Sequence, residues 1–476
     1  MDKGAEHSNL MASLPYSYKT TATSSQISSH YTEYEGKGVS IAGRIMAVRK
    51  AGKLLFVDVQ DRNGKIQAYF EYTKLGEEKF DSAKRLNPGD IAGVSGTVFK
   101  TKAGEPTVNA DSFALLSKAV INLPDKWHGV QDAETRYRKR HLDLIMNRES
   151  KETFEKRIKI IAEIRKFLSA KGFVEVETAV IQPVYGGADA QPFKTFVNTL
   201  GEEHYLRVSP ELQLKRLIIG GFDKVFEFSR NFRNEDADTT HNPEFTSLEW
   251  YQAYADYNDM MALEEEFLEH ISKSATGSAE ITYQGQKISF KRPFRRINFV
   301  DSIKEKTGKD ILEMKDEELF ETAEKLGVTF QKGMRNRIHA YDKIFEALME
   351  EELVQPTFVL DFPREMSPLT RPKRGDDRLA ERFDLYVMGK ELGPSYSELN
   401  DPYIQKRNFE AQEALRKAGD SEMPPADMEF VEAMEYGMPP TGGLGMGIDR
   451  LVMLLTDRPS IKDVIFFPME KRRKPK

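Results

Sequence analysis

Between Gly38 and Leu116 the chain breaks into five short runs, "VSIAGRIMAVR", "KLLFVDVQD", "KIQAYFEY", "DIAGVSGTVFKT" and "TVNADSFALL", in which apolar and polar residues alternate. A period of two gives an extended strand one apolar and one polar face. The runs are bounded by turn signals such as "RNG", and a helix-like "EEKFDSAKRL" lies between the third and the fourth. Five such runs, with the hairpin turn and the intervening helix, describe a small five-stranded OB-type β-barrel with the apolar faces inward. We expect that barrel over residues 38–120, and barrels of this size commonly present one face to oligonucleotides.

The flanking segments read differently. Residues 1–37 are rich in Ser, Thr and Tyr without a period and are expected to be a poorly ordered lead-in. Residues 121–150 read as a linker. From residue 151 to 476 a larger domain is expected: apolar residues recur at helical spacing from Phe154 to Leu168, Gly172 stops that helix, and "FVEVETAVI" reads as a strand. Further strands, "HYLRVS", "KVFEFSRNFRN", "FTSLEWYQAYADY", "PTFVLDFP", "RFDLYVMGKEL" and "GGLGMGI", are separated by hairpin-like loops and helices. This pattern calls for a mainly antiparallel sheet flanked by helices, so the whole chain is expected to be α+β. A helix-rich, charged stretch at about 259–345 reads as an insertion.

Composition narrows the function classes. With 29 Phe and 18 Tyr in 476 residues there is ample material for packed cores, and no apolar run approaches a membrane span. The chain has no cysteine, which excludes disulfides and thiolate metal sites and fits a reducing, cytoplasmic setting. Its net charge of -6 is unevenly spread. The first 147 residues carry 21 basic against 17 acidic side chains, so a mildly basic front precedes an acidic body. The closing "KRRKPK" reads as a solvated tail.

Three stretches concentrate polar chemistry. In "VFEFSRNFRNEDADTTHNPEFTSLEWYQAY", two strands flank a polar turn, and Arg233 shares a strand face with Glu235, as Glu249 does with Tyr251. Charged groups on a strand face that otherwise reads as buried need partners or a ligand. In "ERFDLYVMGKELGPSYSELNDP", Asp384, Glu391 and Glu398 recur at intervals of seven, a set of hard oxygen donors suited to magnesium. In "TGGLGMGIDR", Gly443, Gly445 and Gly447 alternate, unlike the G-x-G-x-x-G dinucleotide fingerprint. They clear one face of a strand, and Arg450 follows where a helix begins.

These stretches fall in a recognisable order: "KGFVEVETAVIQP" ending at Pro183, then "FRNEDADTTHNPEFT", then "GLGMGIDR". With "ETRYRKRHLDLI", "PELQLKRL", "YADY" and "SELND", the chain from about Gly38 to Pro468 resembles the class II aminoacyl-tRNA synthetases, and among them the lysyl members. The resemblance implies ATP-dependent ligation of L-lysine to tRNA(Lys) through a lysyl-adenylate, with magnesium, by a homodimer built around the first signature. It implies that Arg233 binds the α-phosphate of ATP and the substrate carboxylate, a role suited to a planar fork of donors. Phe245 and Arg450 would sandwich adenine, with Glu235, His241 and Asn242 completing the nucleotide pocket. Asp384 and Glu391 would hold the metal. Glu249, Tyr251 and Glu398 would receive the side-chain ammonium of lysine, Glu211 and the backbone at Gly187 its α-amino group, and Tyr396 its stem. In the barrel, Phe56 would stack on an anticodon base while Arg44 and Gln67 discriminate.

Two departures from the family pattern stand out. Pro394-Ser395 replaces the usual Asn-Gly, removing an amide that helps hold the substrate carboxylate, and Gln191 stands where the family often has Arg. Two rival readings follow: a lysine-activating paralogue that loads a protein, and a non-catalytic RNA- or nucleotide-binding paralogue. The first usually lacks the barrel, and the second should have lost Arg233, Arg450 or the acidic pair, all of which are present.

Overall fold

The five alternating runs become strands β1 (Gly38–Ala51), β2 (Leu54–Gln60), β3 (Lys65–Glu71), β4 (Ile91–Lys100) and β5 (Pro106–Ser117). They close in the order β1-β2-β3-β5-β4. Leu55, Val57, Phe70, Val94 and Val108 fill the interior, as the alternation requires. This is the N-terminal OB-type β-barrel. The computed structural model describes residues 3–124, 129–235, 237–330 and 334–472. These divide into two units, Met1–Gly129 and Val130–Lys476; most of the basic tail lies outside the described residues.

The lead-in differs from its expectation. A helix spans Ser24–Ser29, where Thr23 and Gln26 form a reciprocal capping box. Ile27 is 0% exposed within the barrel core. Ser24 bonds both oxygens of Asp61 through its backbone N–H (2.6 Å) and hydroxyl (2.7 Å). The single apolar residue Ile27, set among serines, gives too weak a period to be seen in sequence.

The linker also has structure. Helices span Ala133–Arg138 and Arg140–Met146. Arg140 is fully buried, donating to Asp143 (2.6 Å) and to the carbonyls of Lys462 (2.7 Å) and Phe466 (2.9 Å). Its second half is therefore an integral part of the larger unit. A buried guanidinium with every partner in place is costly to disturb.

The larger unit is built on eight strands: β6 (Val174–Glu175), β7 (Lys224–Phe232), β8 (Glu244–Ala253), β9 (Arg295–Asn298), β10 (Thr357–Leu360), β11 (Arg382–Val387), β12 (Lys390–Ser397) and β13 (Thr441–Gly447). Their order is β9-β10-β11-β12-β13-β8-β7-β6. Only β6–β7 and β9–β10 pair in parallel, so the sheet is mainly antiparallel and the chain α+β. Trp250, Leu248, Phe383, Leu385, Leu444 and Met446 share one apolar core with residues of the helices Arg148–Ala170, Tyr257–Thr276 and Ile448–Thr456. The alternate residues, among them Glu249, Tyr251, Gly443 and Gly445, belong to the other face.

Three readings are refined. "FVEVETAVI" is not one strand, since only Val174–Glu175 pairs with the sheet. "RFDLYVMGKEL" is a hairpin turning at Met388 and Gly389, both at positive φ (56° and 68°). The stretch expected as an insertion begins later than 259: the helix Tyr257–Thr276 belongs to the sheet's core, and a separate apolar cluster starts at Phe299.

Candidate active site

On the polar face of the sheet lies a cavity of about 560 Å³. Gly187, Glu211, Arg233, Glu235, His241, Asn242, Phe245, Glu249, Tyr251, Glu391, Tyr396, Glu398 and Arg450 all line it; Asp384 does not. Strand alternation explains most of this convergence. Glu249 and Tyr251 sit two apart on β8, and Gly443 pairs with both Tyr251 and Tyr396 across β13.

The acidic end is the most unusual. Glu249 accepts from Ser209 Oγ (3.0 Å) and from the Tyr251 hydroxyl (3.1 Å). Its pKa is pushed up to about 8, first by burial and then by the charge of Glu211. Burial likewise raises Glu398 to about 8, outweighing the attraction of Lys215. Lys215, on the helix Glu211–Ile219, is 0% exposed, with Nζ 2.6 Å from Glu211 Oε1 and 2.5 Å from Glu398 Oε2. Burial alone would lower the pKa of this ammonium, but the two carboxylates overcome that effect and raise it. Lys215 was not singled out in sequence, although the Glu211–Lys215 spacing of four marks a helical ion pair.

Glycine is required twice here. At Gly187, φ is +83° and an added Cβ would stand 2.9 Å from Glu211 Cβ. At Gly443 it would stand 2.1 Å from Glu398 Oε1 and 2.4 Å from Tyr251 Cε1. Of the alternating glycines that clear this strand face, Gly443 makes room for the acidic pocket.

The other end of the cavity carries cations and an aromatic ring. The Arg233 guanidinium lies 5.2 Å from the centre of Phe245, and its buried Nε has no hydrogen-bond partner. Arg450 donates to the Glu391 carbonyl (2.6 Å) and to His241 Nε2 (3.1 Å). Because arginine only donates, Nε2 is the acceptor and the Nδ1–H faces Asp238 at 3.0 Å. Glu235 accepts from the Gln191 backbone N–H at 2.6 Å. Asn242 is engaged on both sides, by the Glu244 carbonyl and the Met469 N–H, and so shapes the loop.

For the metal, Asp384 gives both oxygens to Arg382 at 2.8 and 2.7 Å. Burial raises its pKa to about 6 against the pull of Arg382, with Glu391 and Asp342 adding to the rise. Among the described residues no group of three or more His, Cys, Asp or Glu is placed to hold a metal ion. Magnesium needs only one or two protein carboxylates, so an Asp384–Glu391 pair fits it, on condition that Asp384 yields part of its contact with Arg382. Ser395, in the departure from the family pattern, donates its hydroxyl to the Gly443 carbonyl (2.7 Å) and does not replace the missing amide.

On the barrel, Phe56 pairs in register with Tyr69, ring centres 5.2 Å apart, and Tyr69 meets Phe99 at 5.8 Å. Gln67 pairs with Asp58 and donates to Glu105 (3.1 Å). Phe56, Tyr69 and Gln67 thus share the outward face. Arg44 is directed elsewhere, to the Gly89 carbonyl at 2.7 Å, while Arg49 stands opposite Phe56 in register.

Comparison with known proteins agrees with this arrangement. A family model described as tRNA synthetases class II (D, K and N) matches residues 132–471, and one described as an OB-fold nucleic acid binding domain matches residues 39–116. A lysine–tRNA ligase of Clostridium novyi (strain NT) is 50% identical over 462 residues, covering 96% of this chain and 91% of its own. Lysine–tRNA ligases of Thermotoga maritima and Methanoculleus marisnigri are each 48% identical, covering 97% of this chain and 92% of their own. The chain belongs to the class II lysine–tRNA ligases. The sheet-borne cavity of this synthetase lies within the part matched by the class II model, and the barrel is the part matched by the OB-fold nucleic acid binding domain. No described helix of the synthetase is long and apolar enough to cross a membrane.

Proposed function

We propose that this synthetase joins L-lysine to the 3′ end of tRNA(Lys) at the expense of ATP, in the cytoplasm. The observation that carries the reading is the polarity of one cavity: three buried carboxylates with a tyrosine at one end, and Arg233, Phe245 and Arg450 at the other. A lysine molecule has the matching polarity, with two ammonium groups and one carboxylate.

The ammonium groups of lysine go to Glu249, Glu398 and Glu211, and its carboxylate faces Arg233. That carboxylate attacks the α-phosphorus of ATP and pyrophosphate leaves. Arg233 stabilises charge on the phosphate oxygens, and Arg450 neutralises the departing group. Asp384 and Glu391 would hold magnesium, which supplies further positive charge to the phosphates when bound. The 3′-hydroxyl of tRNA then attacks the lysyl carbonyl, AMP leaves, and the ester forms. No side chain is needed as a general base. Phe56, Tyr69 and Gln67 on the barrel supply stacking and hydrogen bonds to unpaired bases.

A homodimer is part of the reading. Ile181 and Phe196 on a three-stranded sheet formed by Ile181–Gln182, Glu202–Leu206 and Lys194–Val197, Val174 on the edge strand β6, and Leu200 are exposed apolar side chains around the first signature. Such a group beside an open sheet edge suits a second copy. The reading is tested by charging of purified tRNA(Lys) with radiolabelled lysine: acid-precipitable lysine dependent on both ATP and tRNA is expected, and incorporation into protein in place of tRNA would contradict it.

A further inference from the structure

The acidic pocket holds one positive charge of its own that contacts no solvent. Lys215 bridges Glu211 on its own helix and Glu398 at the end of β12. Glu249 and Tyr251 on β8 and Tyr396 on β12 are the further titratable groups of this end of the cavity, and Arg233 lies toward the opposite end. With the three carboxylates ionised, as lysine binding requires, they and the one ammonium carry a charge of minus two, which the two ammonium groups of lysine match. We propose, building on the functional reading above, that Lys215 is a positioning residue that sets the charge of the substrate pocket to match a diammonium amino acid.

The geometry gives Lys215 no route to a direct role. A substrate ammonium is repelled by it, so its effect passes through the two carboxylates it holds. It forms an ion pair with Glu398 through Oε2 at 2.5 Å, while neither oxygen of Glu398 accepts a hydrogen bond and Oε1 lies at the wall formed by Gly443. It takes Glu211 through Oε1 alone. Each carboxylate thus keeps a second oxygen for the substrate. Burial already makes Glu249 and Glu398 hold protons more tightly than free carboxyls do, and Lys215 opposes that at Glu398. Without the resident cation the carboxylates would hold protons more tightly still, and lysine would have to displace them.

The test compares Lys215→Met, Glu211→Gln and the double variant Glu211→Gln/Lys215→Met, read by calorimetric lysine binding and by lysine-dependent pyrophosphate–ATP exchange. Lys215→Met should raise the lysine KM roughly tenfold or more, with a much smaller change in kcat. Its acid limb for lysine binding should move to higher pH, because loss of the neighbouring cation makes the carboxylates harder to ionise. The decisive comparison is between the other two variants. Glu211→Gln has a pocket charge of minus one, and the double variant restores minus two, so removing Lys215 should tighten lysine binding in the Glu211→Gln background. A double variant that binds lysine no better than Glu211→Gln overturns the proposal and leaves Lys215 a packing residue; this comparison stands even if Lys215→Met alone fails to fold. Wild-type protein that neither binds lysine nor supports exchange would instead overturn the functional reading.

Discussion

Gly443 on β13 and Glu398, just beyond β12, are in such close contact that a single added methyl carbon at Gly443 would stand 2.1 Å from the glutamate Oε1. The strand that forms the floor of the cavity therefore sets the position of the carboxylate at its acidic end. Gly443→Ala should displace Glu398 and Tyr251 together. A shift of about 1 Å at a reacting centre costs on the order of a hundredfold, so kcat/KM for lysine should fall by about that factor. The ATP KM should move far less, since Phe245 and Arg450 lie at the other end of the cavity; equal loss for both substrates would show that the clash collapses the whole site.

Burial raises both Glu249 and Glu398 to about 8 in the empty pocket. A carboxyl whose pKa is raised by folding favours the folded state below its unfolded pKa, and that contribution is lost as pH rises through the folded value. Lysine binding has the opposite dependence, because the ammonium groups require ionised partners. Lysine affinity should therefore strengthen from about pH 6 to about pH 8.5, with protons released on binding. Calorimetry in buffers of different ionisation enthalpy measures that release; affinity independent of pH, with no proton release, would contradict the assignment.

The sequence pattern makes the barrel legible because alternation at period two leaves few other folds, and five runs became five strands of one barrel. The lead-in was not legible, since the burial of Ile27 depends on a surface that exists only once the barrel has closed. The site shows the same division. Glu249 and Tyr251 share a strand face two residues apart, whereas Lys215 acquires its role from Glu398, which is 183 positions away in the chain and adjacent only in the fold. Asp384 looked like a free metal ligand because nothing in a linear reading shows that Arg382, two residues before it on β11, turns to hold both of its oxygens.

Pro394 lines the cavity without offering a polar group, and the Ser395 hydroxyl is occupied by the Gly443 carbonyl. Pro394→Asn should add one hydrogen bond to a charged carboxylate and lower the lysine KM by about threefold to tenfold. An unchanged KM would show that Arg233 holds the carboxylate sufficiently without it.

Phe56 belongs to the barrel and not to the catalytic unit. Stacking of a base on an aromatic ring contributes about 1–3 kcal/mol, so Phe56→Ala should raise the KM for tRNA about fivefold to a hundredfold. Exchange of pyrophosphate with ATP, which needs no tRNA, should stay within about twofold of wild type. Parallel loss in both assays would contradict the separation of roles.

The central claim, that the acidic end of the cavity selects lysine for adenylation, is tested most directly by pyrophosphate–ATP exchange measured with each of the standard amino acids in turn. Exchange should be strong with lysine and at background with arginine, whose broad planar head does not fit between Glu249, Glu398 and Tyr251, and with all uncharged side chains. Exchange driven as well by another amino acid as by lysine, or by none, would contradict it.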